Sequence, residues 1–380
     1  MQSVATPLLL TFIILFAYPF LIYPLVIMLW ARRQKRVSEN LQPEYFPHVA
    51  MVICALNEQG IIGEKISNAL TLDYPPEKFT IVVVSDGSTD RTAEIVRSYQ
   101  SSGVVLVDQK IRRGKIANLN EVIPLRSEEI IVLSDANVLY HRDAIKHLIA
   151  PFADDSIGCV TGKVILTDTT PDLHASTEQY YSLEWALQKD SSAVYSMVGA
   201  DGAMYALRRE LFHPCPNDTL IEDLVIPMHI ISERKRVVFE PQALAWEKGV
   251  ESIPEEFRRK LRIAAGAAQG LLRGNVWPKN APPRFWYIFL SHKLLRWLSP
   301  LIGILLVLIA LLSQQSLLAK AVLSFTAIIA VLALLRIITG WRNALFTAPF
   351  YFLFGQVAMA IGFAKGITGT QTVLWKKIDR

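Results

Sequence analysis

Apolar residues dominate the two ends of this chain and alternate with polar ones in its middle. Residues 8–30 carry no charge at all, and further apolar stretches lie near 298–312, 317–335 and 344–363. As a helix, 8–30 spans roughly 35 Å, enough to cross a bilayer. Pro19 and Pro24 would kink a soluble helix but are tolerated in a membrane. A signal peptide is the competing reading. Its apolar region is shorter, and its Lys and Arg come before that region, whereas Arg32, Arg33, Lys35 and Arg36 come after this one. By the positive-inside rule the basic side is cytoplasmic and the N-terminus faces out.

Between the ends, short apolar runs alternate with helical periodicity. Strands are predicted at 49–55, 80–84, 104–107 and 130–133, with helices at 58–70, 89–99 and 115–123. Strands alternating with helices indicate an α/β domain with a mostly parallel central sheet. Oxygen-bearing side chains follow the strands: Asn57 and Glu58, Asp86, Asp135 and Asn137. In open α/β sheets, ligands bind at the carboxyl ends of strands.

Residues 157–250 are less regular, with an apolar run at 157–165, a helix at 177–189, a small-residue segment at 199–207, and a loop entering a helix over 218–230. Two basic amphipathic segments follow, 255–273 (Arg258, Arg259, Lys260, Arg262, Arg273) and 285–297 (Lys293, Arg296). Such helices can lie in the membrane interface. The organisation expected is an N-terminal span at 1–31, a cytoplasmic catalytic domain at 47–250, interfacial helices at 251–297, about three spans at 298–366, and a tail at 367–380. One span before the domain and three after would put the tail outside, yet Lys376, Lys377 and Arg380 favour the inside.

Of the 380 residues 52% are hydrophobic, and the net charge is +5. Because the basic residues flank apolar spans, the charge reads as attraction to anionic lipid and argues against nucleic acid. Cys54, Cys159 and Cys215 have no metal-ligand spacing and read as free thiols in a reducing compartment. His141, His147, His174, His213 and His229 show no ligand spacing either. No span carries the charge pattern of a transport pathway.

The apolar run 131–133 ends in Ser134-Asp135-Ala136-Asn137. Two oxygen-bearing side chains two residues apart lie on one side of a strand. They suit a Mg²⁺ or Mn²⁺ ion shared with a diphosphate, since Mg²⁺ favours one or two carboxylates plus substrate phosphates. Asp86 has a competing reading as a turn residue, although Asp90 can cap the next helix. Lys115 also reads as a solvated helix residue, and Asn118 and Asn120 as caps. Asp223 also reads as an N-cap. Trp185 and Trp246 read as sugar platforms or as core.

The segment 47–275 resembles the family-2 glycosyltransferases, which have the GT-A fold, a Rossmann-like arrangement. The flanking spans look like the synthase branch that includes cellulose, chitin and hyaluronan synthases. Five ordered pieces carry the resemblance. Ala55-Leu56-Asn57-Glu58 looks like the opening nucleotide-binding strand end. Ser85-Asp86-Gly87-Ser88-Thr89-Asp90 is similar to the D-G-S-T-D turn. Gly114-Lys115-Ile116-Ala117-Asn118-Leu119-Asn120 resembles G-K-x-x-A-L-N. Asp135-Ala136-Asn137 stands in place of D-x-D, and Ile221-Glu222-Asp223 resembles the T/E-E-D motif. The resemblance implies that Ala55, Asn57, Glu58, Asp86, Lys115, Asn118, Asp135 and Arg262 bind a UDP-sugar and that Asp135 and Asn137 hold the metal. It further implies that Gly199, Asp201 and Gly202 line the acceptor site and that Asp223, beside Glu222, is the base. One base and no covalent nucleophile imply direct displacement with inversion, giving a β-linkage.

The pattern departs from the processive synthases at 259–263. Where they carry Q-x-x-R-W, this chain has Arg259, Arg262 and Ile263. Arg262 can still clamp a diphosphate, but the aromatic platform is missing. That puts processivity in doubt, and the expected activity is transfer of a sugar to a lipid-linked, glycolipid or exopolysaccharide acceptor at the plasma membrane. The alternatives are a processive polysaccharide synthase, for which an oligomer or an accessory export subunit would complete the channel, and an inactive scaffold subunit.

Overall fold

The computed structural model describes residues 2–34, 45–167, 171–249, 252–341 and 343–373. Lys35, Arg36, Lys376, Lys377 and Arg380 lie outside the described residues. The first apolar stretch is helical: α1 (Gln2–Ala17), a π-helical turn (Tyr18–Ile22) and α2 (Tyr23–Ala31). The central domain follows, with β1 (Val49–Ala55), α3 (Ile62–Leu70), β2 (Phe79–Asp86), α4 (Thr92–Ser98), β3 (Val105–Gln109), α5 (Lys115–Val122), β4 (Ile130–Asp135), β5 (Val138–Tyr140) and α6 (Ala144–Ile149). Its second half holds β6 (Ile157–Thr167), α7 (Pro171–Val194), β7 (Met204–Arg208), α8 (Glu222–Ser232) and β8 (Arg236–Lys248).

These strands form one eight-stranded sheet in the order β3-β2-β1-β4-β7-β6-β8-β5. β3, β2, β1 and β4 are parallel, and so are β6 and β8; β7 runs antiparallel to both neighbours, as does β5 to β8. β1, β2 and β4 are buried on both faces, which is why their sequences are continuous apolar runs. One face packs Val52, Val84, Leu133 and Tyr205 under α5, α7 and α8. The other packs Ile53, Val83 and Val132 under α3, α4 and α6. The register pairs Cys54 with Asp135 and Ala55 with Ser85, so the polar ends of β1, β2 and β4 emerge side by side.

Four helical runs are long and apolar enough to cross a membrane: Ala5–Ala31, Pro283–Leu312, Leu317–Thr339 and Ala344–Thr368. The expectation of separate interfacial helices over 251–297 needs correction. α10 (Pro283–Ile288), a π-helical stretch (Phe289–Leu294) and α11 (Leu295–Leu312) make one continuous run, so the aromatic segment belongs to the same long apolar helix. α12 (Leu317–Thr339) and α13 (Ala344–Thr368) complete the set. α9 (Ile253–Arg273) buries its small-residue face, including Ala264, Ala265, Ala267 and Ala268, inside the protein. It does so because α13 meets it with Gly362 and Gly366. A Cβ on those glycines would come within 2.4 Å of the Leu261 carbonyl and 2.3 Å of the Ala265 carbonyl, so only glycine permits this approach. Where the N-terminal span meets the domain, the Tyr23 and Ser191 hydroxyls lie 3.1 Å apart, and Glu184 of α7 pairs with Arg296 and, at 3.4 Å, with His292.

Candidate active site

The loops after β1 and β2 are tied to each other. Asn57 adopts a left-handed backbone with φ of 55°, a conformation Asn tolerates. Its Oδ1 accepts from the Thr89 amide at 2.7 Å, and its own amide donates to Ser88 Oγ at 3.1 Å. The Glu58 amide donates to Thr92 Oγ1 at 2.7 Å. Asp90 accepts from the amides of Thr92 and Gln59 and so ties the first residue of α4 to the loop after β1, while the N-cap position itself is Arg91. Asp86 is 5% exposed, and its carboxylate accepts from the amides of Arg113 (2.7 Å) and Gly114 (2.9 Å). It thereby holds the loop that delivers Lys115 at the first turn of α5.

Lys115 joins the parts that were far apart in sequence. Its ammonium lies 2.8 Å from Asp135 Oδ1 and 2.7 Å from Glu222 Oε1, and it donates to the Gly202 carbonyl at 3.4 Å. Burial alone would lower its pKa, but the two carboxylates outweigh burial and hold it well above the usual lysine value. Burial would likewise raise Glu222, yet Lys115 draws it below the usual carboxylate range. The solvated-helix reading of Lys115 therefore does not describe its position.

Asp223 stands beside this pair in the first turn of α8. Burial, reinforced by the neighbouring Glu222, lifts its carboxyl to about 6, against the pull of Arg262 and Lys115. The chain at Gly202 passes so close that a Cβ there would sit 2.7 Å from Asp223 Oδ2. The Ala200 amide donates to the Asp223 carbonyl at 2.8 Å. Gly199, with φ of 76°, turns this small-residue segment toward α8. Asp201 is lifted to about 7, first by burial and then by Glu247, Asp223 and Asp135. α9 backs the same corner: Arg262 donates to the Leu220 carbonyl at 3.3 Å, and Gln269 Oε1 accepts from the Leu220 amide at 3.1 Å.

The remaining expected residues sit around this centre. Ala55 is buried at the end of β1. Asn118, on α5, lies fully buried, and among the described residues neither of its side-chain amide atoms finds a hydrogen-bond partner. Asn120 holds the 215–217 loop through Cys215 and Asn217. Asn137 donates to Glu247 Oε1 at 2.9 Å. Glu247, on β8, had no signal in the sequence, because β8 already carries Arg236, Glu240, Gln242 and Lys248 and a further charge there does not stand out. Trp185 stacks with the Lys163 ammonium at 4.3 Å and Trp246 lies beside His141. Cys54, Cys159 and Cys215 are free thiols.

Among the described residues, no three His, Cys, Asp or Glu side chains stand close enough to hold a metal by themselves. Asp135, 39% exposed at its side chain, offers one hard carboxylate at the cleft. That donor set fits a divalent cation whose remaining ligands come from a diphosphate and water. A cavity of about 320 Å³ between α2, α7 and β8, lined by Arg32, Lys189 and Glu240, lies away from these carboxylates.

Residues 50–214 match the sequence profile described as Glycosyl transferase family 2. The chain carries a family 2 glycosyl transferase domain. Among its relatives are proteins named poly-beta-1,6-N-acetyl-D-glucosamine synthase. The one from Staphylococcus epidermidis is 26% identical over 63% of this chain and 58% of the relative. The one from Staphylococcus aureus is 26% identical over 63% of this chain and 60% of the relative. The chain thus spans about three-fifths of the length of these relatives. A solved mannosyltransferase from Pyrobaculum calidifontis, in complex with GDP-Man and Mn²⁺, superposes with a TM-score of 0.76 at 22% identity, covering 97% of this chain and all of that one. The glycosyl transferase domain and its flanking apolar helices therefore share that protein's fold, a GT-A-like sheet.

Proposed function

We propose that this protein is a membrane-embedded, inverting glycosyltransferase. It takes a sugar from a nucleoside diphosphate donor, a UDP-sugar, to a lipid-linked or glycan acceptor at the cytoplasmic face of the plasma membrane. The observation that carries the reading is the cluster at Lys115. One ammonium draws Asp135 and Glu222 together, with Asp223 next to Glu222, at the mouth of the strand ends. Direct transfer needs the donor diphosphate held and neutralised, and a base at the acceptor hydroxyl. In this reading Asn57, Glu58 and Asp86 shape the nucleotide pocket and Arg262 and Lys115 face the diphosphate. Asp135, assisted by Asn137, holds a Mg²⁺ or Mn²⁺ ion, whose chemistry is to neutralise the departing diphosphate. Asp223 takes the proton from the acceptor. Gly199, Asp201 and Gly202 leave room for the acceptor beside it. Asn118 supports this pocket from below.

An acceptor arriving from the membrane is supported by the docking of the spanning helices on the domain. Arg296 and His292 reach Glu184 on α7, and Lys293 lies within electrostatic range of Asp223. A second reading, a processive polymer synthase working with a further copy or an export subunit, is favoured by the names of the relatives. The test is to reconstitute the full chain in lipid vesicles and supply labelled UDP-sugars, UDP-N-acetylglucosamine first, with GDP-mannose as comparison. Nucleotide release should require acceptor lipid and stop in EDTA. No release from any donor with any lipid extract would end the proposal.

A further inference from the structure

Lys65 is fully buried, with 0% exposure, and among the described residues it makes no ion pair. It lies on the face of α3 beneath the segment that carries Asp135 and Asn137. Its ammonium donates to Ser134 Oγ at 2.8 Å and to the Val138 carbonyl at 2.6 Å. The same group stands 4.2 Å from the centroid of the Tyr140 ring. One turn further along α3, Asn68 makes a reciprocal pair with Tyr140. Its Nδ2 donates to the Tyr140 carbonyl at 2.9 Å, and its Oδ1 accepts the Tyr140 amide at 2.8 Å.

The placement of these contacts is specific. Ser134 immediately precedes Asp135-Ala136-Asn137 and Val138 immediately follows it. β4, which ends at Asp135, lies in the middle of the sheet between β1 and β7. β5, which begins at Val138, pairs with β8 at the far edge, over three residues only. The tripeptide therefore crosses between two distant strands, and one buried ammonium holds both of its ends. Burying an amine without a counter-charge is costly. The cost shows here, because burial pulls Lys65 down to about 7 with only the charge of Asp135 opposing it. An apolar side chain of the same length would fill the space without that cost. What it would not supply is the pair of hydrogen bonds across the loop.

We propose that Lys65 is a positioning residue for the cation- and diphosphate-binding loop, setting the spacing of Asp135 and Asn137 by tying Ser134 to Val138, with Asn68 as its second anchor. The proposal rests on the reading that Asp135 meets the cation in the donor complex. Partners that orient a metal ligand from behind commonly change metal affinity or activity by roughly 10–100-fold when removed.

The experiment uses the full chain in detergent, as wild type, Lys65→Met, Lys65→Arg and Asn68→Ala. It measures Mn²⁺-dependent UDP binding by calorimetry, the Mn²⁺ concentration for half-maximal transfer, the KM for acceptor, and thermal melting. Lys65→Met should weaken Mn²⁺-dependent UDP binding and raise the Mn²⁺ requirement by about tenfold or more. The acceptor KM should stay within about twofold, because Lys65 touches no acceptor residue, and Lys65→Arg should recover most of the loss. If Lys65→Met does not fold, Asn68→Ala should show the same selective loss in weaker form. A folded variant with unchanged Mn²⁺-dependent UDP binding beside a responsive wild type would overturn the positioning role alone. So would a loss spread evenly over metal, donor and acceptor terms in step with melting. A wild type whose UDP binding ignores Mn²⁺ would overturn the functional reading and this one with it.

Discussion

Asp223→Asn removes a proton acceptor and a charge while keeping the side chain's shape. In the folded protein the carboxyl of Asp223 titrates near 6 because it is buried beside Glu222, with Arg262 and Lys115 limiting the rise. A group with that value is about 90% ionised at pH 7 and about 10% ionised at pH 5. If its ionised form takes the acceptor proton, kcat/KM should fall about tenfold per pH unit below 6. Removing a general base costs about 10²–10⁴-fold in turnover. Donor binding should change little. Lys115 contacts Asp135 and Glu222 rather than Asp223, and the Ala200 bond goes to the Asp223 main chain. The assay is the initial rate of labelled-sugar transfer in vesicles from pH 5 to 8, with UDP affinity measured in parallel. A variant that keeps more than a tenth of wild-type turnover, or that retains the acid limb of the profile, would remove Asp223 as the base.

Three further perturbations bear on the same corner. Lys115→Met removes the cation that lies between Glu222 and Asp135; breaking the largely buried Lys115–Glu222 pair costs about 3 kcal/mol, and calorimetry should also show UDP binding lost. Asp201→Asn should raise the melting temperature at pH 8 but not at pH 4 when no metal is added. The folded carboxyl is lifted from 3.8 to about 7, so its contribution to stability is present at acid pH and is lost as pH rises through that window. The loss is on the order of 4 kcal/mol at most. Gly362→Leu drives a side chain into the Leu261 carbonyl, 2.4 Å from the position a Cβ would take. It should lower stability in detergent by about 1–3 kcal/mol and reduce transfer, since α9 carries Arg262; unchanged melting would show that α13 can shift at no cost.

The first half of the sheet was readable because its strands are buried on both faces and therefore appear as unbroken apolar runs that stop at Asp86 and Asp135. The second half was not. β8 is interrupted by Glu240, Pro241 and Gln242, and its pairing with β6 changes register there, so no single period marks it. Glu247 was hidden for the same reason. Lys65 left a signal that propensity alone does not weigh. It shares the buried stripe of α3 with Ile62, Ile66 and Ala69, where a charged residue is out of place. The basic content of α9 suggested a lipid surface, yet its Ala and Gly stripe specifies contact with another helix. Charge described the face of α9 turned away from that contact, and residue size described the packed one.

Product length separates single addition from polymer synthesis, and the argument turns on α9. Arg259, at the position of Gln in the processive pattern, is held by Glu256 at 2.8 and 3.0 Å. Arg262 keeps its place and reaches the Leu220 carbonyl in the loop leading to Asp223. Ile263 is 39% exposed and offers no flat ring where the processive pattern has Trp. Trp185 and Trp246 do not substitute for it, since they pack against Lys163 and His141. Without a stacking surface beside the base, a sugar just added has little to hold it in place for the next transfer. Products separated by gel should therefore be extended by one or a few units, and Ile263→Trp should lengthen them. A ladder of long chains from the wild-type protein alone would refute this and make the polymer reading the better one.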